Sequence, residues 1–143
     1  MSASGFVLDT NVVSEAMRPR PDRRVVAWLR EHDARSWLSV VTIGEIEAGI
    51  RGAPDPRRAE VLRAWLDGVL IQQFGHRVLP VGLSVARAWG ARVAAARARG
   101  TPIGAVDALI AATAARHGLV VATRDVRDFE HLEVDTVDPW AAA

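Results

Sequence analysis

A chain of 143 residues, half hydrophobic and about a quarter charged, with a net charge of +1, suits one packed domain and names no partner by bulk charge. The absence of cysteine excludes disulfides, thiolate metal sites and cysteine nucleophiles; the absence of lysine excludes P-loop nucleotide binding, Schiff-base chemistry and receiver-type phosphorylation sites. All 18 basic residues are arginine, which with the many alanines reads as the bias of a GC-rich genome and is no evidence for RNA binding.

Phe6-Val7-Leu8 is too short an apolar run for a helix and ends in Asp9-Thr10-Asn11. It predicts a strand buried on both faces, with a carboxylate at its C-terminal end. Asn11 to Met17 predicts a short helix stopped by Arg18-Pro19-Arg20-Pro21, and Asp22 reads as the N-cap of a second helix carrying Val25, Val26 and Leu29. Ser36 to Ser39 predicts a strand. Thr42 reads as the opening of the next helix, with Ile43, Ile46 and Ile50 on one face and Gly52-Ala53-Pro54 as its end.

A long helix is predicted over about Pro56 to Phe74, with Val61, Leu62, Trp65, Leu66, Val69 and Leu70 as its apolar stripe. Val78 to Val81 reads as a strand and Ser84 to Arg99 as a helix. Gly100-Thr101-Pro102 then breaks the chain, with Thr101 as cap and Pro102 at the first position of a helix over Ile103 to His117. Leu119 to Thr123 predicts a strand that runs into Arg124-Asp125, and Glu133 to Val137 a last edge strand. Strands alternating with helices predict an α/β sandwich with a mainly parallel sheet and one domain over 1–143. No charged-then-apolar leader and no apolar run near the roughly 18 residues of a membrane span is present, so a cytoplasmic protein fits.

The acids carry the functional signal. Asp107 is the single charge in Ile103 to Ala115, an otherwise apolar or small stretch that reads as a buried helix. A lone buried carboxylate costs several kcal/mol unless something compensates it. Its position about five residues into the predicted helix leaves little for the helix dipole to do. Glu45 completes a Thr42-x-x-Glu45 capping box, so capping is its simplest role. Glu47 points to another face, toward solvent. Asp9 reads equally as a cap for the helix behind it, and Asp125 and Asp128 as turn formers. The four histidines (His32, His76, His117, His131) fall at loops and helix ends and read as surface residues.

Several carboxylates in one crevice repel and raise one another's pKa. A hard divalent cation, Mg²⁺ or Mn²⁺, resolves that, because it takes oxygen ligands and keeps part of its shell for water and phosphate. Such a site suits phosphodiester hydrolysis. Neither a zinc-type cluster nor a G-x-S-x-G nucleophile signature competes.

The stretches FVLDTNVVSEAMRP, LSVVTIGEIEAG, GTPIGAVDALIAATAARHGLVVATRDVRDFE and the closing VDPW resemble the PIN-domain proteins, and among them the VapC toxins and their FitB-like branch. That resemblance implies a PIN-like three-layer sandwich and a Mg²⁺-dependent endoribonuclease acting on single-stranded parts of RNA, such as transfer or ribosomal RNA. The family's first acid falls on Asp9, its glutamate on Glu45, its third acid on Asp107 and its fourth on Asp125, with Asp128 as the alternative fourth. Thr10, Asn11 and Thr123 match supporting polar positions. On this reading Asp9 and Asp107 hold the metal with help from Asp125, Glu45 orients or deprotonates the attacking water, and cleavage leaves a 5′-phosphate and a 3′-hydroxyl. Arg124 is the named candidate for the RNA backbone, with Arg51 and Arg18 as open alternatives. The resemblance also implies a homodimer and a small antitoxin whose C-terminal segment covers the acidic groove. The alternative is a binding partner in an antitoxin-dependent, DNA-bound regulatory complex with little nuclease activity. An aspartate-nucleophile phosphatase lacks its second acid in Asp9-Thr10-Asn11.

Overall fold

Neighbouring residues of a strand face opposite sides of its sheet, and here that alternation builds two cores. The computed structural model describes residues 5–141. It places β1 (Phe6–Leu8), β2 (Ser36–Ser39), β3 (Val78–Leu79), β4 (Val120–Ala122) and β5 (Thr136–Val137) in one sheet, ordered β3-β2-β1-β4-β5. All four neighbouring pairs are parallel, with Leu8 beside Ala122 and Val7 beside both Trp37 and Val121. Leu8, Leu38 and Ala122 enter one core; Val7, Val121 and Leu79 enter the other.

The first core is closed by α1 (Thr10–Glu15), α2 (Arg23–His32), α3 (Val40–Arg51), a π-helical turn over Leu66–Leu70 and α5 (Ile71–Phe74). α4 (Pro56–Trp65) feeds that turn and packs Leu62 and Trp65 against the same core. The second core is closed by α7 (Ala105–His117), with Trp89 of α6 (Leu83–Ala98) and Phe129 of the 3₁₀ turn Val126–Phe129. A parallel sheet covered on both faces is the expected solution for such short, continuously apolar strands. Each fully buried Leu or Val in these cores contributes about 1.5–3 kcal/mol. Among the described residues no helix is long and apolar enough to cross a membrane.

The order of strands matters for the site. From β1 the chain steps outward to β2 and β3, then returns to lay β4 on the other side of β1. The crevice beyond the carboxyl ends of β1 and β4 is therefore the point where the winding reverses, the place where open α/β sheets bind ligands.

Several local expectations are corrected. β2 passes into α3 with no loop, so its last residue, Ser39, is the N-cap and its Oγ accepts from the Val41 N–H at 3.1 Å. Thr42 lies inside the helix, fully buried, and the Thr42–Glu45 capping box does not form. The predicted long helix is divided by the π turn, which sends Leu66 and Leu70 inward and leaves Val69, like Val61, about half exposed. α7 starts at Ala105 with Gly104 as N-cap, so Thr101 and Pro102 precede the helix without opening it. The last strand spans only Thr136–Val137, and Glu133 sits at φ 54°, a left-handed conformation outside any strand. His32 is no surface residue: its ring stacks on Trp28 at 4.3 Å and its Nδ1 lies 2.7 Å from the Trp28 carbonyl. The other three histidines are exposed.

Candidate active site

Each acid is delivered by the end of a regular element. Asp9 is the residue after β1 and the N-cap of α1, held extended by a backbone hydrogen bond from its N–H to the Ala122 carbonyl at 2.9 Å. Its Oδ1 accepts from the Thr10 N–H at 2.8 Å and its Oδ2 from the Thr123 hydroxyl at 2.8 Å, with the Asn11 amide at 3.4 Å. The capping role expected for Asp9 is real, and it leaves the carboxylate at the mouth of the crevice. The side chain is almost wholly buried, and that burial raises its pKa. The hydrogen bonds from Thr123 and Thr10 work against the rise, while the charges of Glu45 and Asp125 add to it.

Across the crevice, the loop after β4 carries Asp125. The Asn11 amide nitrogen donates to its Oδ2 at 3.0 Å, and its own N–H donates to the Thr123 hydroxyl at 3.0 Å. The Asn11 amide oxygen accepts from the Arg124 N–H at 3.3 Å. Thr123 and Asn11 thus tie the end of β1 to the end of β4. Asp128 follows in the 3₁₀ turn, its N–H bonded to the Asp125 carbonyl at 3.0 Å.

Glu45 lies in the second turn of α3, and its Oε1 accepts a hydrogen bond from the Thr10 hydroxyl. With Ser39 doing the capping, the glutamate is released from the role that the sequence assigns to it. Asp107 lies in the first turn of α7, half-buried and not deeply embedded as its apolar surroundings suggest. There the helix dipole favours the charged form. Its pKa is nevertheless pushed up to about 6, first by burial and then by the charges of Asp9, Asp128, Glu45 and Asp125. Burial and four like charges together outweigh the dipole.

The structure therefore brings Glu45 and Asp125 within electrostatic reach of Asp9, and Asp9, Glu45, Asp125 and Asp128 within reach of Asp107. Asp125 acts on both Asp9 and Asp107, whereas Asp128 acts on Asp107. The ion pairs seen among the described residues involve Glu15, Asp22 and Glu47, none of them pocket acids. Of the arginines singled out, Arg51 is engaged by Glu47 at 2.9 Å and Arg18 lies beside Glu15. Arg124 follows Thr123 and bonds to Asn11 through its N–H, with its guanidinium 5.0 Å from the centre of the Trp140 ring. The ring that seats it belongs to the Asp138-Pro139-Trp140 ending of the chain.

The donors here are all oxygens, which suits a hard divalent cation. Among the described residues no three acidic or histidine side chains are placed so that together they could hold a metal ion. A carboxylate-only donor set would suit a hard cation bound by one or two acids, and without cysteine or histidine it does not fit a zinc-type cage.

With this geometry in view, the similarities to known proteins are specific. A profile of the PIN domain matches residues 6–134. The chain is 38% identical to VapC ribonuclease Y4jK of Sinorhizobium fredii over 139 residues, covering 96% of this chain and 99% of that one. It is 38% identical to toxin FitB of Neisseria gonorrhoeae over 136 residues, covering 94% and 98%. The solved structure of FitAB bound to an IR36 DNA fragment contains a chain that superposes with a TM-score of 0.88 at 35% identity, covering 96% of this chain and 97% of that one. Matched over nearly its whole length in sequence and in fold, the chain belongs to the PIN-domain family, alongside the VapC and FitB toxins.

Proposed function

We propose that this protein is the toxin of a type II toxin–antitoxin pair and a Mg²⁺-dependent endoribonuclease that hydrolyses phosphodiester bonds in single-stranded regions of RNA. One observation carries the reading most: Asp107 is held near pKa 6 by burial and by four facing carboxylates that no arginine neutralises in the ion pairs seen. Such a pocket is unfavourable by itself and favourable around a divalent cation. The naming of relatives of similar length as ribonuclease and toxin supports the substrate class.

Asp9 and Asp107 are the residues that would hold the cation, with Asp125 helping directly or through water. When bound, the cation lowers the pKa of water and stabilises charge on the phosphoryl group. Thr123 and Asn11 restrain Asp9 and Asp125 through hydrogen bonds. Glu45, fixed by the Thr10 hydroxyl, orients the attacking water and accepts its proton. In-line attack then yields a 5′-phosphate and a 3′-hydroxyl. Arg124, seated on Trp140 at the rim, meets the RNA backbone.

The test is cleavage of single-stranded RNA by the purified protein with Mg²⁺, with EDTA in place of Mg²⁺, and by the Asp107→Asn variant. The reading requires cleavage in the first case and none in the other two. Wild-type cutting by folded Asp107→Asn protein, or in EDTA, would overturn it.

A small antitoxin is the proposed partner, and the DNA in the FitAB complex favours a second role in promoter binding. In that reading contact with DNA falls to the antitoxin. Promoter binding by the pair that survives loss of the acids, with no RNA cleavage by the wild type, would make that role the primary one.

A further inference from the structure

Asp9, Glu45 and Asp125 are each fixed by a hydrogen bond, but among the described residues none holds the carboxylate of Asp107. Its direction depends on what stands beside it. Gly104, the N-cap of α7, stands there: a Cβ at this position would lie 3.2 Å from Asp107 Oδ2, 3.6 Å from its Cγ and 3.8 Å from its Cβ, with no other atom among the three nearest.

The backbone does not ask for glycine. Gly104 has φ −74° and ψ 136°, an extended conformation open to any residue. The helix would gain from a capping side chain there, since Ser, Thr, Asp and Asn lead at N-caps and Gly104 supplies none. Neither conformation nor capping explains the residue, whereas the room it leaves for one carboxylate does. Gly44 and Gly49 on α3 make the contrast, because a Cβ at either would meet nothing within 4 Å.

We infer that Gly104 is a positioning residue for Asp107: its missing side chain keeps the carboxylate turned into the acidic pocket, where the cation is held. This rests on the metal-binding reading above. A methyl group at 104 sits closer to Oδ2 than an ordinary contact, so the Asp107 carboxylate must give way by a few tenths of an ångström. An outer neighbour that orients a ligand typically controls 10–100-fold in metal affinity.

The experiment is calorimetric titration of the full-length protein with Mn²⁺ alone, together with metal-free melting curves, for wild type, Gly104→Ala, Gly104→Ser and Gly44→Ala. Both substitutions at 104 should weaken Mn²⁺ binding by about 10-fold. Their metal-free melting temperatures should move apart, because serine supplies a cap and alanine does not. Gly44→Ala should bind Mn²⁺ as the wild type does. A merely structural role would make affinity follow melting temperature. If it does, or if Gly104→Ala binds like the wild type, or if Gly44→Ala is weakened equally, the inference is wrong. If the wild type itself binds no Mn²⁺, the metal reading of the pocket fails and takes this inference with it.

Discussion

Two glutamates on α3, two residues apart, have opposite fates. Glu47 faces α4, where Arg63 engages both of its oxygens, one of them at 2.6 Å, and Arg51 adds a third contact at 2.9 Å. Those hydrogen bonds, Arg63 first and then Arg51, lower its pKa to about 2. Glu45 faces the crevice, meets a threonine hydroxyl, and adds its charge to those that push Asp9 and Asp107 up. The chain has 18 arginines for 17 acids, so neutralising the pocket internally was affordable in number. The arginines are placed elsewhere: Arg77 on the carbonyls of Asp33 and Ser36, Arg92 on that of Leu132, Arg63 on Glu47. An acid neutralised within the chain contributes to the frame. An acid left among others is available to a cation from outside.

The largest effect expected from breaking this contrast is chemical. Asp9→Asn or Asp107→Asn should reduce RNA cleavage by about a thousandfold or more, measured as initial rates on a labelled oligonucleotide, because several kcal/mol of charge stabilisation depend on the cation. Thr123→Val comes next. It keeps the shape but removes the donor to Asp9 and the acceptor for the Asp125 N–H, so cation affinity should drop 10–100-fold by calorimetry. The fold should lose about 1–3 kcal/mol in denaturant melts.

The pH dependence of the metal-free protein sharpens the comparison further. Asp107 rises from its ordinary 3.8 to about 6, so the folded state binds its proton more tightly than the unfolded chain does. This group's contribution is present below about pH 4 and is lost as pH climbs through about 6. After allowance for solvent around a half-buried carboxylate, the loss is about 1 kcal/mol. Metal-free Asp107→Asn should therefore be more stable than the wild type at pH 7, and a divalent cation should remove the difference. Glu47 runs the other way, with stability present above its unfolded pKa and lost as pH falls toward about 2. The smallest effect belongs to Glu47→Gln, in a partly exposed pair whose loss should lower the melting temperature slightly and leave cleavage within about twofold.

How much of this was legible in the residues follows from range. Short apolar runs ending in acids marked β1 and β4, and a lone charge in an apolar helix marked Asp107, because period and composition act over a few residues. Asp22, which accepts from the Arg24 N–H at 2.9 Å, was readable as a cap for the same reason. Thr42 and Thr101 were equally good caps by type, yet neither caps. A cap is the residue whose backbone is still extended when the helix begins, and the sheet decides where that is. β2 carries its pairing to Ser39 beside Leu79, so α3 starts at once and Glu45 is freed for the pocket.

The sequence by itself determined the alternation of strands and helices, the identity of the acids and the resemblance that joins them. Only the tertiary structure decided that β4 returns to the far side of β1, that Thr10 fixes Glu45 across 35 residues, and that Asn11 and Thr123 tie Asp9 to Asp125 across more than a hundred. Local preference sets what each segment can become. Which charges then face one another depends on how the segments stack, and no stretch of chain carries that information alone.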